Sequence, residues 1–147
     1  MFASAQISIP LGHVPITLQT VAVMLIGLTY SLPEGIATLL VYIIAGSMGL
    51  PIFSNFSYGI GGPTTGYIIG FIPAIYFMNK FRVKSFLSIV SACFIGHGII
   101  YTCGIAWLST LIGLVPAITH GLIPFIIPGI AKGLILSASL KAIGFKR

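Results

Sequence analysis

The stretch LIPFIIPGIAKGLILSASLKAI, residues 122–143, decides the class of the fold. It has the length of about 20 mainly apolar residues that a helix needs to cross the hydrocarbon core of a membrane. It contains no acidic residue, and its prolines, Pro124 and Pro128, lie near its start. The stretch therefore predicts a membrane-spanning α-helix that is interrupted near its N-terminal end.

Four more apolar stretches have lengths suited to helices in a bilayer. We predict these helices at 85–105, 63–79, 34–49 and 15–31, and the turn SLPEG at 31–35 separates the last two. Residues 1–9 would extend only about 14 Å as a helix, so they can supply only the end of a first span. The pattern predicts an all-α membrane protein, a bundle of six transmembrane helices with the first helix shortened.

The composition agrees, because 57% of the 147 residues are hydrophobic and only 5% are charged, against about a quarter in soluble domains. Glu34 is the single acidic residue, which excludes catalysis by paired carboxylates and an acidic proton relay. The glycine-rich run 58–67, YGIGGPTTGY, lacks the Gly-Lys-Ser/Thr ending of a phosphate loop. We therefore expect no enzyme, no bound cofactor and, despite the net charge of +6, no nucleic-acid partner.

The basic residues predict how the bundle is oriented in the lipid bilayer. Counting spans places two clusters on one face, which together hold six of the seven basic residues: Lys80, Arg82, Lys84, Lys141, Lys146 and Arg147. The positive-inside rule makes that face cytoplasmic, so both termini are expected on the cytoplasmic side of the cytoplasmic (inner) membrane. The loops at 10–15, 50–63 and 108–124 are then external. Their concentration of Gly, Pro, Asn, Thr and His predicts that a ligand enters from outside.

Lys132 is the sharpest candidate for a functional residue. A helix would place it about 21 Å from Lys146, in the outer third of a hydrocarbon core about 30 Å thick. An ammonium group at that depth is costly unless it is paired, and the sequence offers no nearby acid. Two interpretations stay open: Lys132 binds an anionic ligand, or its side chain snorkels outward to the lipid headgroups.

Other reactive side chains give weaker signals. Ten residues of helix separate Cys93 from Cys103 by about 15 Å, which is too far for a disulfide. Gly66 and Gly70 have the GxxxG spacing that lets helices pack closely. The three histidines have no metal-ligand spacing and predict no metal site: His13, His97 and His120.

Five motifs, in order along nearly the whole chain, resemble one family. They are AQISIPLG at 5–12 with VPITLQT at 14–20, GLPIF at 49–53, GPTTGYIIGF at 62–71, IYTCGIAWL at 100–108, and PFIIPG at 124–129 leading to Lys132. On these motifs the chain is similar to the BioY family, the biotin-specific substrate-binding (S) subunits of energy-coupling-factor (ECF) transporters. The last motif departs from the family, which has Pro-Gly-Asp where this chain has Ile130 after Gly129.

The resemblance implies a single integral membrane substrate-binding domain over residues 1–147, with a biotin pocket built from external loops one, three and five. It also implies a complex with a transmembrane coupling (T) subunit and two ABC-type ATPases, with the T subunit docking near Ala3 and Ala5. Lys132 would pair with the biotin carboxylate. The other candidate contacts are polar or aromatic residues near the loops: Gln19, Asn55, Thr64, Thr65, Tyr67, Phe53, Tyr101 and Trp107.

Two other functions stay open on the sequence. A ligand-free structural or assembly subunit would have the same composition, and Tyr101 and Trp107 would then belong to an aromatic belt at the membrane interface. A member of the same family could instead take a different carboxylated small molecule, because the acid expected after Gly129 is missing.

We predict that a C-terminal alkaline phosphatase, which is active only after export, stays inactive, because the basic clusters retain that end in the cytoplasm. The matched fusion within the loop 50–63 should be active. Enzyme activity in intact cells measures both fusions. An active C-terminal fusion would contradict the orientation.

Overall fold

A helical bundle with one short hairpin is present in the computed structural model, which describes residues 1–10, 13–81 and 85–145. The helices are α1 (Phe2–Gln6), α2 (Gln19–Thr29), α3 (Leu32–Ser47), α4 (Thr65–Asn79), α5 (Phe86–Ile112), α6 (Leu114–Gly121) and α7 (Ile123–Ala142). Two antiparallel strands, β1 (Ser8–Ile9) and β2 (Ile16–Thr17), pair Ser8 with Thr17 and Ile9 with Ile16. A single 3₁₀ turn, Ser54–Phe56, lies in the loop between α3 and α4.

All five full-length helices predicted from the sequence occur, with shifted ends. The interruption predicted near the start of the last one is wrong, because α7 runs from Ile123 to Ala142 with Pro124 in its first turn and Pro128 inside it. The helix predicted at 15–31 begins only at Gln19, because residues 16 and 17 are extended in β2. The loop predicted at 108–124 is wrong: α5 continues to Ile112, and α6 occupies most of the remainder. Gly113, with a φ of +86°, interrupts the helices at one residue. The glycines and prolines of this segment correctly indicated a break in the helix. They did not mean that the whole segment is a loop, because α5 and α6 lie on either side of Gly113.

Glu34 is used to begin α3. The backbone N–H of Ser31 donates to Glu34 Oε2 at 3.0 Å, and the Ser31 hydroxyl donates to the same oxygen at 2.6 Å. Such a capping box satisfies donors that a helix N-terminus leaves without intrahelical partners. The only carboxylate side chain in the sequence therefore has a structural role at the start of a helix.

Among the described residues, two stretches are long and apolar enough to cross a membrane, Phe86–Ile112 and Leu114–Ala142; the second contains both α6 and α7. The other apolar helices, α2, α3 and α4, have 11, 16 and 15 residues. The predicted all-α bundle is confirmed, while the number of spans and the orientation stay predictions. Four basic residues that set the orientation lie outside the described residues: Arg82, Lys84, Lys146 and Arg147.

The closest packing in the bundle is between α4 and α5. A Cβ atom added at Gly66 would lie 2.3 Å from the Cβ of Trp107, and one at Gly70 would lie 3.0 Å from the Cβ of Cys103. From the other side, a Cβ at Gly104 would lie 2.3 Å from the ring of Tyr67. The GxxxG spacing in α4 is thus used for internal helix packing, as small residues at helix contacts allow.

The short helix α1 packs into the bundle rather than lying free on its surface. Ala5 is fully buried, while Ala3 is exposed. Of the two alanines expected to meet a T subunit, only Ala3 therefore lies on the surface of the described chain.

Both cysteines are free thiols, as predicted.

We predict that Gly104→Ala lowers the melting temperature, because the added methyl group overlaps the ring of Tyr67; overpacking of this kind typically costs about 1–3 kcal/mol. Gly98→Ala is the matched control, since the same substitution on the same helix meets nothing within 4 Å. Thermal unfolding of both variants in one detergent measures the difference. Equal melting temperatures would contradict the close contact.

Candidate ligand-binding site

A narrow cavity lies at the end of the bundle that carries the β1–β2 hairpin, and its volume is about 40 Å³. That is room for water-sized molecules and below the range of about 300–1,000 Å³ for small-molecule sites, so a larger ligand has to widen the cavity. It is lined by the segment that leads into α2, by the α3–α4 loop, and by faces of α4, α5 and α7. The lining residues are Val14, Pro15, Thr17, Gln19, Thr20, Ser54, Thr64, Tyr67, Ile68, Phe71, Tyr101, Phe125 and Lys132.

Lys132 is half-buried at the cavity wall and supplies its only charged side chain. Its ammonium donates a hydrogen bond to the backbone carbonyl oxygen of Thr17 at 2.5 Å. This contact joins α7 to β2, which lie 115 positions apart in the sequence. A carbonyl oxygen carries no net charge, so the ammonium is held in place without a counter-ion.

Gln19 is buried in the first turn of α2, and residues that do not line the cavity fix the orientation of its side-chain amide. Its side-chain NH₂ donates to the hydroxyl of Tyr42 at 2.7 Å, and that hydroxyl donates to the carbonyl oxygen of Ile52 at 2.8 Å. This chain of bonds uses the donor end of the amide. The carbonyl end, Oε1, takes no part in this chain of bonds, and an amide oxygen can accept a hydrogen bond from a ligand.

Tyr67 and Tyr101 form an aromatic wall with Phe125. The Tyr67 hydroxyl donates to the carbonyl oxygen of Gly121 at 2.8 Å, and the Tyr101 hydroxyl donates to that of Phe125 at 3.0 Å. Their ring centroids lie 6.4 and 6.3 Å from the Phe125 ring. Both phenol protons are therefore committed to the backbone at the α6–α7 end, and the two rings are locked in position.

Thr20 is a cavity residue that the sequence reasoning missed. Its hydroxyl oxygen is buried and has no hydrogen-bond partner within the described residues. Buried hydroxyl groups are almost always paired, so an orphan group at a cavity wall points to a ligand or water that completes it. The sequence offered one signal for it: Thr20 lies three residues after Thr17, at the start of an apolar helix, where the two polar side chains fall on similar sides.

Five of the nine predicted site residues line the cavity: Lys132, Gln19, Thr64, Tyr67 and Tyr101. The other four, Asn55, Thr65, Trp107 and Phe53, do not line it. The Asn55 side chain accepts a hydrogen bond from the Ser8 hydroxyl at 2.5 Å, the Thr65 hydroxyl accepts from the backbone N–H of Gly61 at 2.9 Å, and Trp107 Nε1 donates to the carbonyl oxygen of Gly62 at 3.0 Å.

Phe53, expected to cover a ligand ring, instead packs within the protein. It is almost completely buried, and its ring centroid lies 5.4 Å from that of Tyr42. A Cβ atom at Gly46 would lie 2.2 Å from the ring, so the glycine makes room for it. The next residue, Ser54, reaches the cavity and was not predicted.

Ile130, which replaces the acid of the family motif, lies on the outer surface of α7. It borders a shallow groove with Phe94 and His97 and does not line the cavity. Gly129 beside it is buried, and a Cβ there would lie 2.5 Å from the Tyr101 hydroxyl. The departure at Ile130 therefore removes no side chain from the cavity wall.

Comparison with known proteins agrees with this fold. The family model described as "BioY family" matches residues 1–145. A relative named probable biotin transporter BioY from Rickettsia prowazekii (strain Madrid E) is 43% identical over 143 residues, covering 93% of this chain and 74% of the relative. The biotin transporter BioY of Thermotoga maritima (strain ATCC 43589 / DSM 3109 / JCM 10099 / NBRC 100826 / MSB8) is 38% identical, covering 83% and 76%.

A solved structure has the same architecture. The crystal structure of the S-component for biotin from an ECF-type ABC transporter superposes with a TM-score of 0.82, covering 95% of this chain and 82% of that one. At 21% identity this likeness shows the fold alone. Together with the apolar helices, the relatives show a multi-pass membrane protein. The chain belongs to the BioY family.

Proposed function

We propose that this protein captures biotin on the outer side of the cytoplasmic membrane, as the substrate-binding subunit of an ECF transporter. One observation carries the proposal: the cavity contains an ammonium, that of Lys132, whose partner is an uncharged carbonyl oxygen. The names of the relatives as biotin transporters support the choice of ligand. The basic clusters support an orientation in which the cavity opens outward and both termini are cytoplasmic.

The chemistry of biotin suits the distribution of groups around the cavity. Its carboxylate pairs with Lys132, in an environment where a charge-assisted hydrogen bond is stronger than in water. The N–H groups of its ureido ring need acceptors, and Gln19 Oε1 and the Thr20 hydroxyl supply them. Apolar side chains, Ile68 and Phe71 with the aromatic wall, cover the aliphatic chain and the sulfur-containing ring.

We predict that Lys132→Ala weakens biotin binding by about 2–5 kcal/mol, or roughly 30-fold and more in Kd, because the carboxylate loses its cationic partner. Lys141→Ala is the matched control. It lies on the same helix, is exposed, and its ammonium contacts the ring of Phe86 rather than the cavity. Isothermal titration calorimetry of the purified proteins measures both. If both variants bind as wild type does, Lys132 does not hold the carboxylate.

The same titration separates the remaining alternatives. Biotin methyl ester, which lacks the negative charge, should bind wild type about as weakly as biotin binds the Lys132→Ala variant. If the wild-type protein binds another carboxylated molecule and not biotin, that molecule is the ligand and the choice of biotin is wrong. A protein that binds neither would support a structural subunit.

Energy for uptake must come from other chains. The sequence has no nucleotide motif and a single acid, which caps α3, and a binding protein cannot shift an equilibrium beyond its own differential affinities. We therefore assign ATP hydrolysis to two ABC-type ATPases and the coupling to a transmembrane T subunit. The exposed Ala3 side of α1 is a candidate for the T-subunit contact.

We predict that the protein alone in proteoliposomes binds biotin without accumulating it above the external concentration. Adding the T subunit with its ATPases and internal ATP should convert binding into uptake, because the partners supply the free energy. Radiolabelled biotin measures both states. Accumulation against a gradient by the isolated chain would refute the S-subunit mechanism.

A further inference from the structure

Two histidines from distant parts of the chain meet beside the cavity. His13 lies between β1 and β2, and His120 lies in the last turn of α6. Their ring centroids are 6.1 Å apart, and the ring planes make an angle of 71°. Sequence spacing predicted no metal site here, because spacing along the chain does not detect ligands that the fold brings together.

The separation of the rings fits a shared metal ion. A zinc–imidazole bond is about 2.0–2.1 Å long, so two imidazoles on one ion have ring centres roughly 5–6.5 Å apart, depending on the N–metal–N angle. Both side chains are exposed, and the two rings contact each other edge to face. A rotation of the exposed rings exchanges this ring contact for two nitrogen–metal bonds.

We propose that His13 and His120 form a binding site for a divalent transition-metal ion of the Cu²⁺, Ni²⁺ or Zn²⁺ class. Imidazole nitrogen suits these ions, whereas Mg²⁺ and Ca²⁺ require oxygen ligands. The only carboxylate side chain of the sequence, Glu34, is engaged at the start of α3, so the site has no anionic side chain that would favour the harder ions. Water completes the coordination.

An ion bound by His13 and His120 would lie close to residues that form the cavity wall. His13 directly precedes Val14 and Pro15, which line the cavity. His120 directly precedes Gly121, whose carbonyl oxygen holds the hydroxyl of Tyr67 at 2.8 Å. An ion bound to both rings links the segment before Val14 to the end of α6, and we expect this link to restrain the cavity wall and slow the exit of a bound molecule. This consequence rests on the proposed function, while the metal site itself does not.

The site is tested first with Cu²⁺ alone, on the full chain without an affinity tag in lipid nanodiscs. Electron paramagnetic resonance should show one equivalent of bound Cu²⁺ coupled to two imidazole nitrogens. His13→Asn and His120→Asn should each lose this signal, and the control Thr119→Ala, an exposed neighbour on α6, should retain it. No imidazole coupling in wild type, or unchanged coupling in either histidine variant, would overturn the site.

The link between the segment before Val14 and the end of α6 is tested by the dissociation rate of radiolabelled biotin with and without Zn²⁺. Zn²⁺ should slow dissociation about threefold or more from wild type and not from either histidine variant, since restricted exit acts on the off-rate; Mg²⁺ should have no effect. Equal rates would overturn the link. If the protein shows Cu²⁺ coupling but binds no biotin, the metal site is supported and the proposed function is refuted. If it binds biotin but shows no Cu²⁺ coupling, the proposed function is supported and the metal site is refuted.

Discussion

The close contact of α4 with α5 is the constraint on which the site depends. Three glycines let the two helices approach until side chains of one touch the backbone of the other: Gly66, Gly70 and Gly104. The contact fixes Tyr67 against Gly104, and the Tyr67 hydroxyl in turn holds the carbonyl of Gly121 at the end of α6. Helices in a membrane gain little from burial of apolar surface against each other, so close packing of this kind has to supply their association.

The rest of the site follows from how the few polar side chains are used. Most of their donor protons are committed to backbone carbonyls, as in Tyr67, Tyr101 and the Gln19–Tyr42 chain. The buried Thr20 hydroxyl has no partner in the described residues, and the Gln19 carbonyl end is not used in the bond to Tyr42. The cavity therefore offers one cation and polar groups that can accept hydrogen bonds, in an otherwise mainly apolar wall, which suits a ligand with an anionic end and N–H donors.

The sequence predicted the helices well, because long apolar stretches separated by Gly, Pro and charge leave few alternatives in a membrane. It also singled out Lys132, which lines the cavity, while its contact with a ligand stays a prediction. The sequence could not show that Ser54 and Thr64 line the cavity while their neighbours Asn55 and Thr65 do not. Neighbouring polar residues of this kind differ only in the direction of their side chains, which the sequence does not reveal. Asn55, with a φ of +57°, is fixed to the hairpin by Ser8 rather than facing the cavity.

Gln6, the last residue of α1 and just before the hairpin, fixes the α3–α4 loop. Its side chain donates to the carbonyl of Phe53 and accepts from the N–H of Phe56, both at 2.9 Å, which holds the loop in its left-handed turn. The same hairpin presents the Thr17 carbonyl that positions Lys132. An ammonium has three N–H donors, so it can keep this bond and still bind a carboxylate. Thr17 thus orients the cation without neutralising it, and the countercharge is left for a ligand to supply.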